Sequence, residues 1–264
     1  LTGWSVRSVL AGEENEGTPP ADRVDVVQPA LFAMGVGLAA VWRSLGVEPA
    51  AVVGHSQGEV VAAVVSGALT LEQGALVVAA RSAAVLGISG RGGMALVERP
   101  VAEVGEHLAP YGEALSVAAV NTTGSTVVSG DRVLVEELLD AWDDQDVPCG
   151  KLHAACASHS AHMDALLPGL REALAPLSPR PAGIPLYSTV LGRRASGEEL
   201  DTEYWCRNLR EPVRLDLAQR ELLADGYTVF VEISPHPVLA RPLADGGAAQ
   251  DAVVLATTER DHGG

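Results

Sequence analysis

A short β-branched run, Ala50 to Val53, passes directly into Gly54-His55-Ser56-Gln57-Gly58 and then into the apolar run Val60 to Val65, which Gly67 closes. That succession reads strand, tight turn, helix, and it forces a chain built around alternating strands and helices. A serine held between two glycines at such a junction fits a nucleophile elbow, whose strained turn exposes Oγ and whose helix aims its first N–H groups at any oxyanion formed there. The nearest donor of that kind is the Gln57 amide. Chemistry at Ser56 is therefore the first expectation.

The rest of the chain is consistent with an α/β protein. Gln28-Pro29 is expected to open a buried helix running to about Leu45, with proline in the first turn where it is tolerated. Thr70-Leu71-Glu72-Gln73 has the capping-box pattern, so a helix carrying Arg81 should run from there to about Val85. From Gly93 the pattern changes: strands at Met94 to Val97, Ala114 to Val120, Thr126 to Ser129 and Val147 to His153 enclose helices at Val101 to Leu108 and Arg132 to Trp142. The order β-α-β-β-α-β is that of a ferredoxin-like unit, and it predicts a small inserted subdomain over 90–154. Strands at Ile184 to Thr189, Thr228 to Ile233 and Ala252 to Ala256, with helices near Tyr204 to Leu209 and at Arg214 to Ala224, resume the alternation. Residues 1–89 and 155–264 are thus expected to form an α/β core with a mostly parallel sheet.

Charge narrows the partners. Eighteen Lys+Arg against 34 Asp+Glu leave a formal charge of −16, which repels nucleic acid. The apolar runs Ala30 to Val41 and Val60 to Ala68 are short and punctuated by glycine, so no membrane span is expected, and a cytoplasmic location is the expectation. Cys149, Cys156 and Cys206 lie far apart without zinc-binding spacing and read as free thiols. Gly12 to Ala21 is polar and Pro-rich, a surface loop. Seventeen of the 18 basic residues are Arg and the chain begins at Leu1, which suggests a piece of something longer.

Ser56 needs a base. His262 lies in a terminal tail, His107 on a polar helix face, and His236 in the loop Ser234-Pro235-His236-Pro237. His153, His159 and His162 cluster where the chain re-enters the main core. A metal reading of that trio lacks further ligands beyond Asp164, and no metal is expected.

Taken together, Gly54-His55-Ser56-Gln57-Gly58-Glu59, Arg81, Cys156-Ala157-Ser158-His159, Tyr204-Trp205-x-Arg207-Asn208-Leu209 and Val231-Glu232-x-Ser234-Pro235-His236-Pro237-Val238-Leu239 resemble the acyltransferase domain of modular polyketide synthases, relatives of malonyl-CoA:acyl-carrier-protein transacylases. The resemblance implies a hydrolase-like α/β core, formed by 1–89 and 155–264 and carrying the ferredoxin-like insert, with Ser56 as the nucleophile and His159 as the general base, oriented by a main-chain carbonyl near Glu211-Pro212. It matches Arg81 to the family's carboxylate-binding arginine, a role that suits a planar guanidinium gripping a malonyl carboxylate with two parallel bonds. It further implies no bound cofactor, an acyl-CoA donor, a carrier-protein phosphopantetheine acceptor and neighbouring synthase domains as partners, in antibiotic biosynthesis.

Gln28, within Arg23-Val24-Asp25-Val26-Val27-Gln28, and Gln57 look like the class that prefers methylmalonyl over malonyl units. His55, Ala157 and Ser158 fall in the same substrate-facing motifs. Cys156 stands where that class usually has Tyr, which implies a wider pocket and tolerance of ethyl or longer C2 substituents, with methylmalonyl the runner-up. The family normally begins with a strand and a Gly-Gln-Gly-Ser-type turn that supplies a second oxyanion amide, and this sequence shows none. Two rival readings share the motif: a serine thioesterase or editing hydrolase, which would usually complete a triad with an acid, and a non-catalytic docking domain. Arg193, Arg194, Arg207, Arg210 and Arg214 are candidate contacts for CoA phosphates or an acidic carrier protein.

Overall fold

In the computed structural model, residues 2–13 and 19–259 are described. The middle of the polar stretch 12–21 and His262 lie outside the described residues.

Three helices stack beside the nucleophile turn. Helix α1 (Val6–Leu10) precedes α2 (Val24–Ser44), and β1 (Val52–Val53) leads through the turn into α3 (Gly58–Val65), which is followed by α4 (Leu71–Leu86). The expected start of α2 is corrected: the helix begins at Val24, and Pro29 lies inside it. Its apolar stripe starts earlier than the proline, with Val24 and Val26 both buried, so packing decides where the helix begins. With 21 residues, α2 is also long and apolar enough to cross a membrane by length and composition, against the expectation from its shorter apolar run. Here it lies against α3 and α4. A side chain at Gly35 would press on Val61, and one at Gly74 would press on Phe32 of α2, so both glycines permit close helix approach. The capping box of α4 is formed: Gln73 N–H donates to Thr70 Oγ1 at 3.2 Å, and Thr70 N–H to Gln73 Oε1 at 3.0 Å.

Next come β2 (Gly93–Val97), α5 (Val101–Leu108), β3 (Leu115–Thr122), β4 (Ser125–Gly130), α6 (Arg132–Asp143) and β5 (Cys149–Leu152). The four strands pair antiparallel in the order β5-β2-β4-β3. One face of this sheet packs Ala95, Val97 and Val128 against Val104, Leu108, Val135, Leu138 and Trp142 of α5 and α6.

The remaining elements are α7 (Leu167–Leu174), β6 (Leu186–Ser188), β7 (Arg193–Ala195), α8 (Thr202–Arg210), β8 (Val213–Arg214), α9 (Leu215–Ala224), β9 (Val229–Glu232), α10 (Ala240–Gly247) and β10 (Val253–Ala256). The chain is α/β, and the mostly parallel core sheet that was expected is found divided. Strand β1 pairs parallel with β6, and β9 with β10, while β7 folds back antiparallel on β6. The two parallel pieces form separate sheets among the described residues. Strand β1 is only two residues long because the Gly54 turn follows at once. What unites the pieces is side-chain burial: Tyr187, Phe230, Leu215, Leu222 and Leu243 form one apolar cluster to which Val53 and Val254 also pack. Strand β8 joins the small sheet instead, pairing parallel with β3 through Ala119–Val213 and Val120–Arg214.

Candidate active site

The turn after β1 is strained where sequence chemistry demands it. Ser56 has φ of +53°, a left-handed conformation that costs a non-glycine residue about 1–3 kcal/mol and persists only when its surroundings hold it. Two side chains from distant segments do so. Thr189 Oγ1 donates to Gly54 O at 3.0 Å, and Asn208 Nδ2 donates to Ser56 O at 3.1 Å. The two motif glycines are not equivalent. A Cβ at Gly54 would overlap the backbone of Gly58 and Glu59, whereas one at Gly58 would meet nothing within 4 Å.

His159 meets Ser56 from the other side. Its Nε2 lies 2.8 Å from Ser56 Oγ, and its Nδ1 lies 2.8 Å from Glu211 O. A carbonyl can only accept, so Nδ1 carries the ring hydrogen and Nε2 is left to take the seryl proton. The backbone of His159 is pinned by its own N–H donating to Leu209 O at 3.1 Å, with φ at +61°. The ring is buried. Desolvation first, and the positive charge of Arg81 second, lower its pKa to about 3, so at neutral pH it is an uncharged base.

Arg81, on α4, completes the group. Its Nη2 donates to Ser56 Oγ at 3.0 Å, its Nη1 donates to Asn208 Oδ1, and its buried Nε has no partner. Arg81 is 4% exposed, and burial lowers its pKa to about 10, which leaves it charged. No carboxylate forms an ion pair with it among the described residues. Its nearest compensation is indirect. Glu59, itself buried, accepts from Asn208 Nδ2 at 2.9 Å, Tyr204 OH at 2.5 Å, Thr189 Oγ1 at 2.7 Å and the Thr189 N–H. Burial pushes the Glu59 carboxyl up, and these four donors oppose that push. Tyr204 OH also meets Ser188 Oγ at 2.7 Å.

This network of Glu59, Ser188, Thr189, Tyr204 and Asn208 was not assigned a role from sequence. One signal was available: a carboxylate set in an otherwise apolar helix must find donors, and Tyr204 and Asn208 sit four apart on α8, on one face.

The other anticipated residues distribute as follows. In the turn, the Gly58 N–H donates to His55 O and the Glu59 N–H to Ser56 O, so both are engaged, and Gln57 is the amide outside those two bonds. The side-chain Oε1 atoms of Gln57 and Gln28 are buried without partners. His55 Nε2 donates to Asn121 Oδ1 of β3 at 3.1 Å, and burial lowers its pKa, so the ring is neutral. Cys156 is buried in the main core, its Sγ 3.3 Å from Ser158 Oγ, and Ala157 is fully buried. All three cysteines are free.

His153, by contrast, is exposed. His162 Nε2 pairs with Asp131 at 2.9 Å, and His107 packs on Trp142. No cluster of three metal-ligating side chains occurs among the described residues. Arg193, Arg207, Arg210 and Arg214 each hold an acidic partner, namely Glu199, Glu211, Asp164 and Asp216, while Arg194 is exposed. A cleft of about 790 Å³ between the β3–β4 hairpin and helices α9 and α10 is not lined by Ser56; its lining includes Asn121, the partner of His55.

Comparison with known proteins follows this geometry. The family model described as "Acyl transferase domain" matches residues 1–264. The polyketide synthase GfsA of Streptomyces halstedii is 48% identical over 263 residues, 99% of this chain and 4% of that protein. Erythronolide synthase EryA2 of Saccharopolyspora erythraea is 46% identical over 269 residues, all of this chain and 7% of that protein. The chain thus spans only a small fraction of the curated relatives it matches. Among solved structures, the acyltransferase domain from module 8 of the salinomycin polyketide synthase superposes with a TM-score of 0.95 at 45% identity, over 99% of this chain and 62% of that one. A loading acyltransferase from the avermectin modular polyketide synthase superposes with a TM-score of 0.92 at 43% identity, over 98% of this chain and 82% of that one.

Proposed function

The chain belongs to the acyl transferase domain family, and from that premise we propose that it loads a C2-substituted malonyl unit from CoA, through a seryl ester, onto the phosphopantetheine of an acyl carrier protein within a cytoplasmic polyketide synthase. The observation that carries this reading is a buried guanidinium, unpaired with any carboxylate, whose Nη2 is 3.0 Å from a serine that also faces a neutral imidazole. Such a cation calls for an anionic ligand beside the nucleophile, and a malonyl-type carboxylate is one.

In the first half-reaction, Ser56 Oγ attacks the thioester carbonyl as its proton passes to His159 Nε2. The C–O bond forms, the carbonyl oxygen becomes an oxyanion held by backbone donors including the Gln57 N–H, and the C–S bond then breaks with the proton leaving on the CoA thiol. In the second, the phosphopantetheine thiol gives its proton to His159 Nε2 as its sulfur forms a C–S bond to the seryl ester carbonyl; the seryl C–O bond then breaks, and His159 returns that proton to Ser56 Oγ. Glu211 O keeps the His159 tautomer fixed throughout. Because that partner is a carbonyl and no acid stands on Nδ1, the hydrolase reading with a completed triad has no support from this geometry.

Gln28, His55, Ala157 and Ser158 are assigned to the acyl-binding surface. The Cys156 side chain, smaller than the Tyr of the methylmalonyl class, leaves room for a larger C2 substituent. The strand order β5-β2-β4-β3 supports reading 90–154 as a ferredoxin-like insert in a hydrolase-like core of 1–89 and 155–264.

Intact-mass analysis after incubation with malonyl-, methylmalonyl-, ethylmalonyl- and propionyl-CoA tests the proposal. Acylation by the carboxylated thioesters, strongest for the C2-substituted ones and abolished in Ser56→Ala, is expected. Acylation by propionyl-CoA alone, or by none, would refute it.

A further inference from the structure

Arg81 offers two of its three nitrogens to the protein, Nη1 to Asn208 and Nη2 to Ser56 Oγ, and withholds the third, a buried Nε without a partner. The way this chain's other arginines grip carboxylates is informative. Arg23 with Asp25, Arg171 with Glu203, Arg207 with Glu211 and Arg214 with Asp216 all use the same edge of the fork, Nε together with Nη2. On Arg81 that edge is the free Nε plus the nitrogen now spent on Ser56. A carboxylate arriving side-on fills the empty position and, in the same motion, competes for Nη2, while Nη1 stays anchored on Asn208.

We propose that Arg81 restrains Ser56 in the unliganded protein and that the carboxylate of the incoming acyl group lifts the restraint by drawing Nη2 away from Oγ. The inference rests on the roles of Ser56, His159 and Arg81 given above and deepens them. A cation donating to Oγ stabilises the resting oxygen more than the attacking one, whose electron density is passing into the new C–O bond. Cargo without a carboxylate meets a nucleophile still held. Compensating the Arg81 charge also weakens one of the causes that lower the His159 pKa, second only to burial, so the base strengthens when the right cargo is in place. Selection for carboxylated cargo thereby acts on reactivity as well as on binding.

The test separates this device from simple recruitment. A small neutral fluorophosphonate labels Ser56 without contacting a carboxylate subsite, and formate can occupy the Arg81 edge without filling the pocket. Labelling followed by intact mass should accelerate saturably with formate, on the order of ten-fold, the change in rate expected when a charged hydrogen bond to Oγ is released. Sodium chloride at equal ionic strength should have no such effect. In Arg81→Ala, shown folded by circular dichroism, formate should change nothing; Arg81→Gln replaces it if the alanine variant does not fold. A wild-type rate unchanged or slowed by formate, or a formate response persisting without Arg81, overturns the proposal. Acylation by malonyl-, methylmalonyl- and ethylmalonyl-CoA, run in parallel, distinguishes the outcomes: failure with all three refutes the acyltransferase reading itself, whereas success with any of them without a formate response refutes only the restraint.

Discussion

Asn208 Nδ2 donates to Glu59 Oε2 at 2.9 Å, and the same side chain's Oδ1 accepts from Arg81, so one neutral amide joins two buried ionisable side chains that share no direct contact. Its third bond, to Ser56 O, ties the pair to the nucleophile turn. Asn208→Leu removes all three and orphans groups inside the protein. A loss of roughly 1–3 kcal/mol per unsatisfied buried group is expected, read from urea unfolding. Asn208→Asp discriminates further: it hands Arg81 a carboxylate partner of its own. Acylation of Ser56 by methylmalonyl-CoA should fall roughly ten- to a hundred-fold while labelling by a fluorophosphonate changes less. Equal losses with both reagents would argue that the amide serves only the fold.

The buried imidazole fixes a pH dependence. In the proposed reaction His159 acts as a neutral base, and its pKa is lowered to about 3, so the acid limb of Ser56 acylation should lie well below pH 6.5 and not at it. The stability consequence has a definite sign. Between the ordinary value of 6.5 and the folded value, the unfolded chain binds a proton that the native ring refuses, so stability rises with pH across that window. The contribution of His159 is fully present above pH 6.5 and is lost as pH falls towards 3. Comparing urea midpoints of the wild type and His159→Gln from pH 7 to 4 isolates it: the two curves should converge on acidification.

The two glycines of the motif should respond oppositely to alanine. Gly54→Ala forces a methyl group into the backbone of Gly58 and Glu59 and should abolish folding or activity. Gly58, first residue of α3, faces open space, and Gly58→Ala should leave stability within about 1 kcal/mol of wild type, with the sign favouring the helix former. Thermal denaturation of both variants settles the contrast.

His55 and Asn121 make the one side-chain hydrogen bond described between the nucleophile turn and β3. Asn121→Leu leaves a buried ring N–H without an acceptor and should cost about 1–3 kcal/mol. The variant should also label more slowly at Ser56, because His55 is its immediate neighbour in the turn. Wild-type labelling kinetics in a stably folded Asn121→Leu would show that this contact supports the fold without positioning the serine.

What could be read in the sequence was local. Ser56 at a strand–helix junction, the capping box at Thr70 and the helical spans of α5 and α9 follow from turn chemistry and periodicity over a few neighbouring residues. The main-chain partner of His159 was anticipated at Glu211-Pro212 through family resemblance alone. What escaped depends on tertiary approach. Asn208 reaches Ser56 across 152 positions and Glu59 across 149, and no local pattern reports such meetings. The start of α2 was misjudged because a proline rule was weighed above the buried Val24 and Val26. The division of the parallel strands into two pieces escaped because strand-length signals do not say which strands become neighbours.

The two-residue strand β8 gives the small sheet a hold on both members of the proposed reacting pair. It follows directly on Glu211-Pro212, and the Glu211 carbonyl meets the imidazole; it is also laced to Ala119 and Val120 of β3, whose next residue, Asn121, bonds His55 beside the serine. A rocking of that sheet would tug on base and nucleophile together through separate tethers, so docking forces on its outer surface have a mechanical route to the 2.8 Å gap between Ser56 and His159.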